Sequence, residues 1–255
     1  MRNSLATTCI ILLSLAFLAC GNFGVVEEGK LYRRSQPSEA TLDEIIVEKN
    51  IQTVLRLRGG EPGTDSYDDS YNPTQKHGIR FVQIPMSSSR FPKEWELIQL
   101  VEVIEQGPYP MLVHCRAGAD RTGLASSIYL LHTGADMETA RAELTLWYGH
   151  MAMFGTEKLD ETLDMYEPWQ PYMSVGDWAR EIYQRPINDE LPDDFEKQNQ
   201  LALERWLIAN PERALIYNRW HAKRTGGNSA EIDASPLAKS EQSEADASDA
   251  PHSSE

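Results

Sequence analysis

Ten residues near the middle of the chain, His114-Cys115-Arg116-Ala117-Gly118-Ala119-Asp120-Arg121-Thr122-Gly123, constrain its folding more than any other stretch. An apolar run, Met111-Leu112-Val113, precedes them, and a helix-compatible run from Leu124 to Leu131 follows. The pattern predicts a buried strand, a tight loop and a helix start. A helix N-terminus leaves backbone N–H groups unpaired and carries the positive end of the helix dipole, so such a loop gathers anions. The same field, with Arg121 nearby, favours a thiolate at Cys115. A thiolate beside a bound phosphate is a nucleophile placed for attack on phosphorus.

Five residues separate Cys115 from Arg121, with Gly118 inside the loop and Thr122 directly after the arginine. The stretch resembles the His-Cys-x5-Arg-Ser/Thr signature of the protein tyrosine and dual-specificity phosphatase superfamily. That resemblance implies a phosphate cradle formed by Arg116, Ala117, Gly118 and Ala119, with Cys115 as nucleophile and Arg121 as clamp. It also implies Thr122 hydrogen-bonded to the sulfur, His114 orienting the loop, and no metal or other cofactor. A sulfurtransferase of the rhodanese type often opens its loop with Cys-Arg, but that loop is one residue shorter. The segment Leu31-Tyr32-Arg33-Arg34-Ser35-Gln36-Pro37 resembles, without its extra residue, the Arg-Ser-x-Gln-Pro entry of bacterial dual-specificity-like phosphatases. The binding-module alternative is a pseudophosphatase that holds a phosphorylated partner without turnover.

At the N-terminus, Arg2 precedes an apolar run from Leu5 to Ala19, too short for a comfortable membrane span. This predicts a signal peptide over residues 1–19. Phe17-Leu18-Ala19-Cys20-Gly21 resembles a bacterial lipobox, which implies lipidation of Cys20, a membrane anchor, and a periplasmic or cell-envelope location. Cys9 leaves with such a signal and Cys20 carries lipid, so Cys115 is left as the one free thiol. A lone thiol in an oxidising compartment is a liability unless its reactivity is used. The net charge of −15 argues against a nucleic-acid partner, which calls for a basic face. The expected partner is a phosphorylated protein or small molecule.

Between Phe23 and Val113 the sequence alternates short β-rich runs with helical ones, which predicts an α/β fold with a central, mostly parallel sheet flanked by helices. Strands are expected at 23–26, 30–34, 51–57, 79–85 and 110–114. Thr41-Leu42-Asp43-Glu44 reads as a capping box, residues 61–72 as an acidic loop, and Gly78 as the stop of a short helix. Lys93–Gln106 is a helix with Trp95, Leu97, Ile98, Val101 and Ile104 on one face. Further helices are expected from Asp136 to Tyr148 and from Thr156 to Tyr166. The phosphatase domain is expected over residues 20–167, a helical extension over 168–222 and a disordered acidic tail over 223–255. Trp169, Trp178, Trp206 and Trp220 are read as packing residues, and His77, His132, His150, His221 and His252 as structural or surface residues.

A phosphate monoester also needs a proton for its leaving group. Dual-specificity phosphatases usually take it from an Asp in the loop before the preceding helix, but here that loop reads Met86-Ser87-Ser88-Ser89-Arg90 and holds no carboxylate. Three readings stand. Asp120 is the acid, an arrangement similar to that of myotubularin-type lipid phosphatases, or else it orients Arg121 through a salt bridge. Asp65, Asp68 or Asp69 swings in from the 61–72 loop. Or the leaving group needs no proton, as with the pyrophosphates cleaved by plant and fungal atypical dual-specificity phosphatases that this chain is similar to. Arg58, Arg90 and Arg116 are candidates for the peripheral phosphates of a multiply charged substrate such as an inositol phosphate or phospholipid headgroup.

Overall fold

The computed structural model describes residues 21–225. The expected signal peptide, Cys20 and almost all of the acidic tail lie outside those residues. A five-stranded sheet forms the centre, in the order β1-β2-β5-β3-β4: β1 Gly24–Glu27, β2 Leu31–Arg34, β3 Thr53–Arg56, β4 Arg80–Gln83 and β5 Met111–His114. Every pairing is parallel except the β1–β2 hairpin at the edge. The central strand β5 is buried throughout, as its continuous apolar run requires. Tyr32, Val54 and Leu112 share one face and pack on Leu42, Ile45 and Ile46 of helix α1, Glu39–Glu48.

Helix α1 begins three residues earlier than its expected capping box. Ser38 is the N-cap, and its hydroxyl accepts from the Thr41 N–H. The larger departure is at residues 61–72, most of which belong to a helix, α2, spanning Asp65–His77. Its apolar stripe escapes a search for aliphatic residues because aromatic rings carry it. Tyr67 and Tyr71 meet the Phe81 ring edge-on at 5.6 and 5.5 Å. Gly78, at φ +65°, ends this helix as expected.

Helix α3, Glu94–Gln106, buries Leu97, Leu100, Val101, Val103 and Ile104, whereas Trp95 is exposed. Helix α4, Asp120–Thr133, follows the cysteine loop and is buried along most of its length. A short helix α5, Met137–Arg141, and a 3-10 turn at Leu146–Tyr148 replace the single helix expected from Asp136 to Tyr148. Helix α6, Glu157–Tyr166, comes next.

The chain divides into two compact units, and the boundary is not a single cut at residue 167. Val175–Leu191, including helix α7 (Val175–Glu181), belongs with the sheet unit. Trp178 is fully buried there between the rings of Tyr166 and Tyr183, and the Tyr183 hydroxyl donates to Pro92 O at 2.6 Å. The second unit holds Pro168–Ser174 and the residues from Pro192 onward. In it, helix α8 (Phe195–Ala209) presents Asn199, which accepts from Trp169 Nε1 at 2.7 Å, and helix α9 runs Pro211–Thr225.

The register of the parallel strands prepares a site. Arg34 lies opposite His114, His114 opposite Arg56, and Arg56 opposite Gln83, so four strands end in one row. The segments that continue from that row begin with Ser35, Cys115, Leu57 and Ile84. They emerge together at the carboxyl edge of the sheet, where α/β sheets bind ligands.

Candidate active site

Cys115 sits directly beyond β5, almost completely buried, and the Gly118 N–H donates to its sulfur at 3.3 Å. The loop after it is shaped by what its carbonyls do. Arg116 O accepts from the Gln36 N–H at 3.2 Å, and Ala117 O from Asn22 Nδ2 at 3.0 Å. Gly118 O accepts from Arg33 Nη2 at 2.8 Å, and Ala119 O from the Gly123 N–H at 2.7 Å. Four successive carbonyls are thus engaged outside the loop. Gly118 makes this close approach possible: its φ is +72°, and a Cβ there would lie 2.5 Å from backbone atoms of Arg34 and Ser35. Among the described residues, the N–H groups of Arg116, Ala117, Ala119, Asp120 and Arg121 have no protein acceptor. Such a run of free donors at a helix start is an anion cradle.

Arg121, from the first turn of α4, completes the cradle. Its Nη1 donates to Leu57 O at 3.2 Å and to Met86 O at 3.3 Å, tying the guanidinium to the ends of two neighbouring segments. Its Nε is buried with no protein partner among the described residues. His114 is fully buried beneath the loop, with Nδ1 donating to Cys115 O at 3.5 Å and Nε2 facing Ser70 Oγ at 3.3 Å. Burial, and then the nearby Arg56, Arg34 and Arg58, push its imidazole down to about 3. The ring is therefore neutral, a spacer that holds the loop.

Asp120 does not pair with Arg121. Its carboxylate accepts from His150 Nδ1 at 2.8 Å, and His150 Nε2 donates to Asp160 at 2.8 Å on the far side. Both ring nitrogens face carboxylates, which only accept, so both carry hydrogen. The bonds to Asp120 and then Asp160 outweigh burial and raise this imidazole to about 9.

Residues 21–164, more than half of the chain, match the family profile described as Swiss Army Knife protein, DSP-PTPase phosphatase domain (PTP-SAK). The chain belongs to that family. No curated protein matches it. Among solved structures it is similar to P. aeruginosa TpbA, at 19% identity over 60% of this chain and 92% of that one, with a TM-score of 0.46. It is also similar to the core catalytic domain of the PP-IP phosphatase SIW14 from S. cerevisiae, at 20% identity over 58% and 92%, with a TM-score of 0.45. Tk-PTP in its active form matches at 20% identity over 58% and 97%, with a TM-score of 0.44.

Within this PTP-SAK domain the expected site residues separate. Cys115, Arg116, Ala117, Gly118, Ala119, Asp120, Arg121 and His114 assemble as one loop. Arg58 joins them: desolvation, then the fields of Arg121 and Arg116, lower its pKa, while the Cys115 charge opposes this. Its Nη1 reaches Gln36 Oε1 at 3.4 Å. Arg90 is not available to a phosphate, because its two Nη atoms clasp the buried Glu96 carboxylate at 3.0 and 2.6 Å. Thr122 Oγ1 is buried with no protein partner among the described residues, and the Gly118 N–H, not Thr122, donates to the sulfur. Two of the three candidate carboxylates of α2, Asp68 and Asp69 but not Asp65, are committed elsewhere. Asp68 accepts from Gly63 N, and Asp69 from Glu39 N at the start of α1.

Sequence reading missed Arg33, Asn22 and His150. Arg33 and Gln36 lay inside a quoted motif whose purpose only the loop reveals. His150 lies thirty positions from Asp120 and carries no local pattern.

The charge on His150 gives a pH test. An unfolded histidine loses its proton near 6.5, the folded one near 9, so the stability it adds is complete below pH 6.5 and lost as pH rises through about 9. We expect the stability gap between wild type and His150→Gln, read from urea midpoints, to be widest below pH 6.5 and to narrow toward pH 9. A gap constant across that range contradicts an ionised His150.

Proposed function

We propose that this chain is an exported, lipid-anchored phosphatase that hydrolyses phosphate monoesters through a phosphocysteine intermediate. The observation that carries the reading is the outward engagement of carbonyls 116–119, which leaves the loop N–H groups and Arg121 Nε to surround one anion beside the Cys115 sulfur. In the first step, the thiolate of Cys115 attacks phosphorus, an S–P bond forms and the ester P–O bond breaks. The N–H cradle and Arg121 hold the equatorial oxygens as charge builds on them. Water then attacks the phosphocysteine, inorganic phosphate leaves and the thiolate returns.

The leaving oxygen takes its proton from Asp120. Histidine and carboxylate share one proton along the His150 Nδ1–Asp120 hydrogen bond, and Asp160 on Nε2 balances the ring's charge. At rest the proton sits on His150, and the couple donates by passing it through Asp120 as negative charge builds on the leaving oxygen, which leaves His150 neutral. In the second step Asp120 accepts a proton from the attacking water, which resets the pair. Arg58 and the exposed Arg116 favour substrates with more negative charge than one phosphate, whether a phosphotyrosine peptide, an inositol phosphate or a phospholipid headgroup.

Cys115→Ser is expected to lower turnover of an aryl phosphate by at least roughly a thousandfold while phosphate still binds. Undiminished turnover sinks the mechanism, and a wild type that binds phosphate but never releases product marks a binding module instead. Asp120→Asn is expected to slow alkyl phosphates about 100-fold or more and aryl phosphates with acidic leaving groups less than about tenfold. Equal losses on both classes would make Asp120 a structural residue.

A further inference from the structure

Five large apolar side chains are exposed within nine residues of the segment after α5: Leu146, Trp147, Met151, Met153 and Phe154, the first 74% and the last 92% exposed. Exposed apolar side chains gathered in so short a segment mark a contact site. The segment is also fixed to the catalytic loop. Asn22 Nδ2 donates to Tyr148 O at 2.8 Å as well as to Ala117 O, and His150 pairs with Asp120. At its other end Gly155 packs so closely that a Cβ there would lie 2.8 Å from Ser89 O. The apolar side chains therefore border the mouth of the cradle, from the Ala117 side to the Ser87–Arg90 loop.

We propose that this rim rests in a lipid surface, so that the Cys115 loop opens onto the headgroup layer. The occupant follows from how close Cys20 lies in sequence to the first strand. Only three residues separate Cys20, the residue read as lipidated, from the start of β1 at Gly24. They are not a free tether: Gly21 O accepts from Ser35 N at 2.9 Å and Ser35 Oγ at 2.7 Å, and Asn22 is held as above. A residue spans at most about 3.6 Å of chain, so Cys20 is tethered within about 7 Å of Asn22, whose side chain holds the Ala117 and Tyr148 carbonyls. A bilayer anchoring Cys20 that close meets the rim first. The aromatic, Leu and Met side chains there suit the boundary between headgroups and acyl chains, and they add a second contact to the lipid anchor. The proposal rests on the reading of Cys20 as lipidated. It deepens the phosphatase reading by directing the site to phosphates borne on lipids.

The test uses the full chain, processed in a lipoprotein-making bacterium and reconstituted into phosphatidylethanolamine and phosphatidylglycerol vesicles doped with a lipid that carries a photoactivated carbene on its acyl chain. The mass of the N-terminal peptide reports acylation of Cys20 separately, and turnover of a soluble aryl phosphate reports the catalytic reading separately. Carbene labels are expected on residues 146–154. The double substitution Leu146→Asp, Phe154→Asp should cut that labelling, and the hydrolysis of a phosphatidylinositol phosphate in the vesicles, by at least about tenfold. Turnover of the soluble aryl phosphate should not change. A floating protein labelled only outside 146–154, a chain that fails to float, or a double variant that instead turns a solution dimer into a monomer overturns the proposal.

Discussion

The site depends on a buried guanidinium that never touches the expected substrate. Each peptide unit points its N–H and C=O in opposite directions, so a loop that turns its donors inward must satisfy its carbonyls outside. Leaving one such group buried and unpaired costs about 1–3 kcal/mol. Arg33, fully buried in β2, takes Gly118 O and contributes a longer bond to Ala119 O, while Asn22 and Gln36 take the two carbonyls before them. Burying a charge is costly unless it is paired. Here Arg33 is paired with Glu143, donates to the Glu143 carbonyl at 2.8 Å, and lies over the Tyr148 ring at 3.5 Å. Contacts within the protein therefore hold the cradle in shape.

The same economy of contacts divides the charged residues by role. Arg56 is buried, donates to the carbonyl of Arg58 and to Ser66 Oγ, and is lowered to about 10 chiefly by burial, so it shapes the turn rather than meeting substrate. Arg90 is closed off by Glu96. Arg121 spends one nitrogen on two carbonyls, which fixes the plane of its guanidinium and leaves Nε aimed away from protein partners. That leaves Arg58, Arg116 and Arg121, of the arginines around the loop, with charge to offer an anion. Positive charge at Arg121 and the Asp120–His150–Asp160 chain sit side by side, since Asp120 and Arg121 are neighbours in the first turn of α4.

Much of this was legible in the sequence because local pattern and tertiary role agree. The strand that carries Cys115 is apolar because it is central, and the loop glycine is there because no side chain fits. Where the sequence misled, the stabilising partner was distant. Residues 65–72 look like a loop, with three aspartates, yet they belong to a helix because Tyr67 and Tyr71 pack on Phe81 and Ser70 bonds Gln36. Asp120 was a candidate acid by position alone. Nothing in its neighbourhood announces His150, and only the contact shows that Asp120 pairs with that ring. Trp95 reads as core by its spacing but is exposed, since the buried face of α3 runs through Leu100 and Val103 instead.

The most direct test of the inward-facing cradle is a titration with inorganic phosphate followed by the backbone amide resonances of the 15N-labelled protein. The amide protons of residues 116–121 are predicted to move downfield together and to saturate, and Arg33→Met is predicted to abolish that response while the folded spectrum persists. Phosphate shifts that are absent from this loop, or that survive unchanged in the Arg33 variant, would contradict the account.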